Sequence, residues 1–193
     1  IKINPEKITA DKVNQTLYHV ANNEKIPLLI NLLKCTKTRR AIVFVNTKRV
    51  AEKVWSYLKG NRIHAAVLSG DVPQKKRQRL FNEFSTGDLK VLVATDLAAR
   101  GLHIPDVSHV FNYDLPQNAE DYVHRIGRTA RAGASGDAVS FACEDYVYSL
   151  TEIESFIGYQ IPITKISEEN LLEILPPPVK LSGLNPRSKG FPE

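Results

Sequence analysis

The sequence predicts an α/β fold: a three-layer sandwich with a mainly parallel sheet and helices on both faces. Two observations carry this. Short, largely apolar runs rich in β-branched residues recur along the chain, as strands buried on both faces require. Amphipathic stretches of helical period separate them, and strand, helix, strand in regular alternation needs crossover connections that leave successive strands parallel.

A first strand is expected over 14–20 and a helix near 24–34. AIVFV at 41–45 is the next strand, and a helix over 47–59 follows, with Val50, Val54, Tyr57 and Leu58 at helical spacing and Asn46 or Thr47 as its cap. After the HAAVL strand at 64–68, a helix over 72–84 carries Pro73 in its first turn. Leu80, Phe81 and Phe84 share one of its faces, and Gly87 ends it. KVLVA at 90–94, SHVFN at 108–112 and DAVSFA at 137–142 complete the strands. A helix over 118–127 begins after Pro116, with Asn118 as cap and Asp121 three residues on. One domain is expected over 1–175. Pro176, Pro177 and Pro178 interrupt regular structure, and the polar, Gly- and Pro-containing stretch over 176–193 is expected to be a flexible tail.

Composition narrows the function. Hydrophobic residues at 42% and charged residues at 24% exclude a disordered chain, and 193 residues suffice for one sizeable core. Lys+Arg 26 against Asp+Glu 21 gives a net charge of +5, a lean toward an anionic partner. The cations are grouped: Lys75, Lys76, Arg77 and Arg79 form one knot, and 34–49 holds another. Cys35 and Cys143 make no disulfide framework, and no CxxC or HxxxH pattern is present to hold a metal. Buried free thiols and a cytoplasmic location are therefore expected. No apolar run approaches the roughly 18 residues of a membrane span, and no signal-peptide pattern opens the chain, so no membrane partner is expected. The chain opens on Ile1 rather than Met and reads as a piece of something longer.

HRIGRTARAG at 124–133 is the densest chemical signal. If it is helical, His124, Arg128 and Arg131 share one face with Arg125 at its edge. Such a face repels itself unless a polyanion docks there, and guanidinium groups match phosphate oxygens bidentately. In a parallel sheet ligands bind beyond the carboxyl ends of the strands, where NTK at 46–48, SGD at 69–71 and TDLAARGLHIP at 95–105 emerge together. Taken singly, Thr47 is a helix cap and Gly70 a turn glycine. Three coincident loops favour phosphate approaching Thr47, Ser69, Gly70 and Thr95, with Lys76 and Arg77 placed to meet a nucleic-acid backbone. The sequence contains no GxxxxGK[ST] loop and no acidic DEAD-like stretch for Mg²⁺. Arginines without a phosphate cradle make half of an active site.

The order IVFVNTK at 42–48, LSGD at 68–71 with QKKR at 74–77, VATDLAARGLHIP at 93–105, FNYDLP at 111–116 and YVHRIGRTARAG at 122–133 resembles motifs IV, IVa, V, Vb and VI of DEAD-box RNA helicases. The resemblance covers about 14–161. It implies the second, C-terminal RecA-like domain of an ATP-dependent RNA helicase, with ATP and Mg²⁺ held mainly by an N-terminal RecA-like domain. Arg128 and Arg131 would be the arginine fingers at the γ-phosphate. His124 and Arg125 would couple that site to motifs of the first domain. Thr47, Lys48, Gly70, Arg77 and Thr95 would hold the RNA backbone, and Gly101 would lie beside the nucleotide. His103 stands where the family commonly has an Asp that bonds the ribose, and imidazole donates there with a charge that depends on pH. Ala130 replaces the usual Gly.

The mechanism implied is a closing clamp that unwinds RNA duplexes locally, with the isolated domain inactive. GLHIP, RAGASG and the region around IGYQIP are most similar to the helicases of bacterial RNA degradosomes, which implies a role in RNA decay and an endoribonuclease scaffold as partner. Tyr146, Tyr148, Phe156 and Tyr159 are candidates for that contact, against core packing. A docking module without catalysis and a DNA translocase domain are the other readings; FNYDLP and QKKR favour RNA.

Overall fold

The computed structural model describes residues 12–36, 38–100, 107–129 and 136–178. Six strands form one sheet: β1 (Val13–His19), β2 (Ala41–Phe44), β3 (Ala65–Leu68), β4 (Val91–Ala94), β5 (His109–Asn112) and β6 (Gly136–Ala142). Their order is β1-β6-β5-β2-β4-β3, and every neighbouring pair is parallel. The helices are α1 (Lys25–Cys35), α2 (Lys48–Gly60), α3 (Gln74–Thr86), the single turn α4 (Asp96–Ala99), α5 (Ala119–Ile126) and α6 (Val147–Ile157).

Alternation along the strands divides the core between the two faces. Val43, Val45, Val93 and Phe111 pack with Leu29 of α1 and with Ala51, Val54 and Leu58 of α2. Ile42, Phe44, Leu92 and Val110 face the other way, toward Phe84 of α3 and Ala98 of α4. On that second face Leu17 and Ala138 meet Tyr122 and Ile126 of α5 and Ile153 of α6. The helices α1 and α2, on one face, carry the chain toward the β3 edge. On the other face α3, α4 and α5 carry it back, so all the crossovers have one hand.

Helix boundaries follow their caps. Thr47, not Asn46, caps α2, its Oγ1 accepting from the Val50 N–H at 3.2 Å. Pro73 is the extended N-cap of α3 rather than a residue of its first turn, and Gly87 ends that helix at φ 87°. Asn118 caps α5 through the Glu120 N–H at 2.8 Å, while Asp121 pairs with Arg100 instead of joining a capping box. The helix stops at Ile126 with Gly127 as its C-cap, two residues before Arg128. The single turn α4 exceeds the sequence expectation.

The chain after α6 returns over the domain. The Leu17 N–H donates to the Pro162 carbonyl and the Thr164 N–H to the Leu17 carbonyl, each at 2.8 Å, which covers the exposed edge of β1. Asn61 then exchanges two hydrogen bonds with the backbone of Leu175. Pro176 to Pro178, expected to open the tail, pack on α2: a Cβ added to Gly60 would meet the Pro176 carbonyl at 2.7 Å. The rest of the expected tail, 179–193, lies outside the described residues. Cys143 is buried as expected, but Cys35 is exposed, because the last turn of α1 extends past the core.

His109 gives the fold a pH dependence. It is buried against Phe111, and burial pushes its imidazole below the usual value of about 6.5, outweighing Asp137 at 3.5 Å, which acts in the opposite sense. As pH falls the unfolded chain takes up the proton first. The contribution is therefore complete above about pH 6.5 and is lost as pH falls through the lowered folded-state value. The melting temperature of this chain should fall between about pH 7 and 5, and less steeply in His109→Gln; equal slopes would contradict it.

Candidate active site and nucleic-acid interface

The sheet reverses its winding between β2 and β5. From β2 the chain enters α2 on one face, and from β5 it enters α5 on the other, which opens a crevice at the carboxyl edge. Asn46 and Asp114 stand at its two sides and are joined: the Asn46 N–H donates to Asp114 Oδ2 at 2.9 Å, and Asn46 Nδ2 to the Leu115 carbonyl at 2.9 Å.

Arg125 fills the base of this crevice. Its Nε and Nη2 grip both oxygens of Asp96, at 2.7 and 2.6 Å, while Nη1 donates to the Asp114 carbonyl at 2.6 Å and Nη2 to Asn46 Oδ1 at 3.0 Å. The guanidinium carbon lies 5.1 Å from the Phe44 ring centroid, and the side chain is 1% exposed. One cation thus ties together the segments that follow β2, β4 and β5. The expectation of a cationic helical face is corrected accordingly: Arg125 is buried within its own domain, and Arg128 stands beyond the end of α5. In the turn after α5 the Arg128 N–H donates to the Arg125 carbonyl at 3.1 Å and Thr129 Oγ1 to the Val107 carbonyl at 2.6 Å. His124 is exposed on the last turn of α5.

Phe44, Asp96, Ala99, Arg100, Asp121, His124, Arg125 and Arg128 line a pocket of about 210 Å³. Small-molecule sites enclose roughly 300–1,000 Å³, and among the described residues this pocket falls below that range. Arg100 Nη2 reaches Asp121 Oδ1 at 3.0 Å across the exposed side. Mg²⁺ does not fit these residues, because the Asp96 carboxylate is held on both oxygens by Arg125. Among the described residues no group of His, Cys, Asp or Glu could hold a metal. Arg131, Gly101, His103 and Ala130 lie outside the described residues.

The residues expected on RNA sit along the adjoining carboxyl ends of β2, β4 and β3. Thr47 and Thr95 cap α2 and α4 by accepting from Val50 and Ala98, at 3.2 and 3.4 Å. Capping uses an oxygen lone pair and does not consume the hydroxyl proton, so a threonine can cap a helix and donate to a phosphate oxygen together. Lys48 pairs with Asp71 across the loops, and this partner holds the lysine above its ordinary pKa. A Cβ on Gly70 would meet nothing within 4 Å, so no contact inside this chain requires glycine there. Arg77 Nη2 donates to the Ala98 carbonyl at 3.3 Å and joins α3 to α4, while its buried Nε has no protein acceptor.

Polar residues of the site that escaped the sequence expectation are Lys25, Asn46, Asp96, Arg100, Asp114 and Asp121. Lys25 left a trace, as a lone cation opening the apolar run KIPLLI. Asp96 and Asp114 stand inside quoted motifs, but sequence cannot show that they face one arginine.

Comparison with known proteins follows the same lines. Residues 24–133 match the model for the helicase conserved C-terminal domain. The chain is 52% identical over 181 residues to the ATP-dependent RNA helicase RhlB of Shewanella pealeana, covering 94% of this chain and 42% of that protein. It is 50% identical to RhlB of Cronobacter sakazakii over 196 residues, covering all of this chain and 47% of that one. The chain therefore spans less than half the length of these curated relatives. Among solved structures, the E. coli DEAD-box protein SrmB, bound to regulator of ribonuclease activity A, superposes with a TM-score of 0.76 at 36% identity, covering 86% of this chain and 96% of that one. Dbp5 of S. cerevisiae, bound to RNA and ADP BeF3, does so with a TM-score of 0.76 at 32% identity, covering 86% and 44%. The chain belongs to the helicase conserved C-terminal domain family, with the RecA-like α/β fold of DEAD-box helicases.

Proposed function

We propose that this domain completes the ATP site of a DEAD-box RNA helicase and forms half of its RNA groove. The observation that carries this is the placement of the Arg128 pocket beside the contiguous loops that follow β2, β3 and β4. ATP would be held by an N-terminal RecA-like domain that also supplies the ligands of Mg²⁺. Closure brings Arg128 and Arg131 to the γ-phosphate, where their charge stabilises the transition state. His124, on the exposed end of α5, meets the first domain directly, whereas Arg125 acts by holding the loops that carry Asn46 and Asp96. Gly101 and His103 lie beside the nucleotide and its ribose.

The same closure completes a backbone-binding groove from Thr47, Lys48, Gly70, Arg77 and Thr95. Backbone contacts carry no sequence information, so unwinding is local and indifferent to sequence. ATP and RNA both select the closed form, and each therefore favours the other. The solved Dbp5 complex, which holds RNA and ADP BeF3, supports this reading. By itself the chain should hydrolyse ATP no faster than buffer, and joining it to the first domain should give RNA-stimulated turnover. Appreciable hydrolysis by this chain alone would contradict the half-site.

The similarity of GLHIP, RAGASG and the region around IGYQIP to degradosome helicases supports a place in RNA decay, with an endoribonuclease scaffold as partner. Val147 and Tyr148 on α6, 53% and 85% exposed, are the apolar residues available to it, because Tyr146, Phe156 and Tyr159 pack against the core. Tyr148→Asp should abolish capture by a scaffold peptide and leave the fold intact. Undiminished capture would remove α6 from that role.

A further inference from the structure

We propose that Lys25 is a positioning residue for the arginine pocket, acting from the opposite face of the sheet through Asp114. The inference rests on the reading of Arg128 given above. Lys25 opens α1, yet its side chain is 1% exposed. Its Nζ lies 2.6 Å from Asp114 Oδ1, 3.8 Å from Cys143 Sγ and 4.3 Å from the centroid of the Tyr113 ring. The other Asp114 oxygen accepts the Asn46 N–H, and the Asp114 carbonyl accepts Arg125 Nη1. Two buried cations, Lys25 and Arg125, thus meet at one residue, the first at its carboxylate and the second at its carbonyl.

A buried ion pair is weak evidence for stability, since apolar side chains of equal volume do as well or better. Its distinctive effect here is to keep the Asp114 carboxylate engaged. Without Lys25 that carboxylate would keep only the Asn46 N–H, on the same residue whose carbonyl already holds the Arg125 guanidinium. Arg125 would then be drawn from Asp96 toward Asp114. Arg125 and Asp96 line the pocket together with Arg128, so the displacement changes the pocket itself. Lys25 prevents this competition.

The test uses the full-length enzyme at a temperature where circular dichroism shows each variant folded. Lys25→Met should lower kcat for RNA-stimulated ATP turnover about tenfold, the equivalent of one misplaced charge-assisted contact, with KM for ATP within about twofold of wild type. Adding Asp114→Asn removes the competing carboxylate and should restore most of kcat. A residue that merely supports the fold would lower the melting temperature without this split between kcat and KM. If the methionine variant does not fold, Lys25→Gln, which leaves a shorter, neutral donor near Asp114, takes its place and should lower kcat in the same direction by a smaller factor. Wild-type kcat in a folded Lys25 variant, or a loss that Asp114→Asn does not reverse, would overturn the proposal. Arg128→Ala, assayed alongside, separates the two levels. If it retains wild-type turnover, the reading of the pocket fails and the proposal with it; if it alone is impaired, only the role of Lys25 fails.

Discussion

Arg128→Ala in the full-length enzyme should reduce ATP turnover by about 10³-fold or more, the effect of removing an arginine finger. On the proposed reading the loss belongs in kcat, because ATP would be held by the first domain and Arg128 would meet its phosphate only on closure. Its position supports this: Arg128 follows the end of α5 and lines a pocket with Arg100, His124 and Arg125. Steady-state ATPase assays at saturating RNA give the number. Near-normal turnover would remove Arg128 from the chemistry.

Arg125→Ala should destabilise this chain by about 3–5 kcal/mol, the cost of breaking a buried ion pair by removing one partner. Asp96, Asp114 and Asn46 all lose a donor in a crevice where three segments meet, and Phe44 loses the guanidinium packed near its ring. Arg125→Lys is not conservative there. An ammonium cannot match the bidentate geometry at Asp96 and also reach the Asp114 carbonyl and Asn46 Oδ1. Urea unfolding followed by circular dichroism measures both variants; a midpoint close to wild type in Arg125→Ala would show that the hub contributes little.

The sheet was legible because its signal is local. AIVFV and KVLVA are buried on both faces and declare themselves as strands, and Gly87 and Asn118 mark helix ends through their own backbone and side-chain chemistry. Polar side chains that work across long separations were not legible. Arg125 reads as one more cation in HRIGRTARAG until Asp96, 29 residues earlier, is seen to hold it. Its neighbours His124 and Arg128 stay at the surface and in the pocket, so one run of basic residues divides into a buried structural cation and two accessible candidates for function. Cys35 was misread as buried because nothing in its own neighbourhood shows where α1 leaves the core. Thr47 and Thr95 illustrate the reverse: the cap and the candidate phosphate donor are the same hydroxyl, and neither role excludes the other.

The most direct test is the thermodynamic coupling between the two ligands. RNA affinity of the full-length enzyme, measured by fluorescence anisotropy at fixed salt, should tighten by about tenfold or more when a non-hydrolysable ATP analogue is added, and ATP-analogue affinity should tighten equally when RNA is added. In Arg128→Ala this mutual gain should largely disappear while the affinity for RNA alone is unchanged. Undiminished coupling in that variant would show that the domains close without Arg128 reading the phosphate.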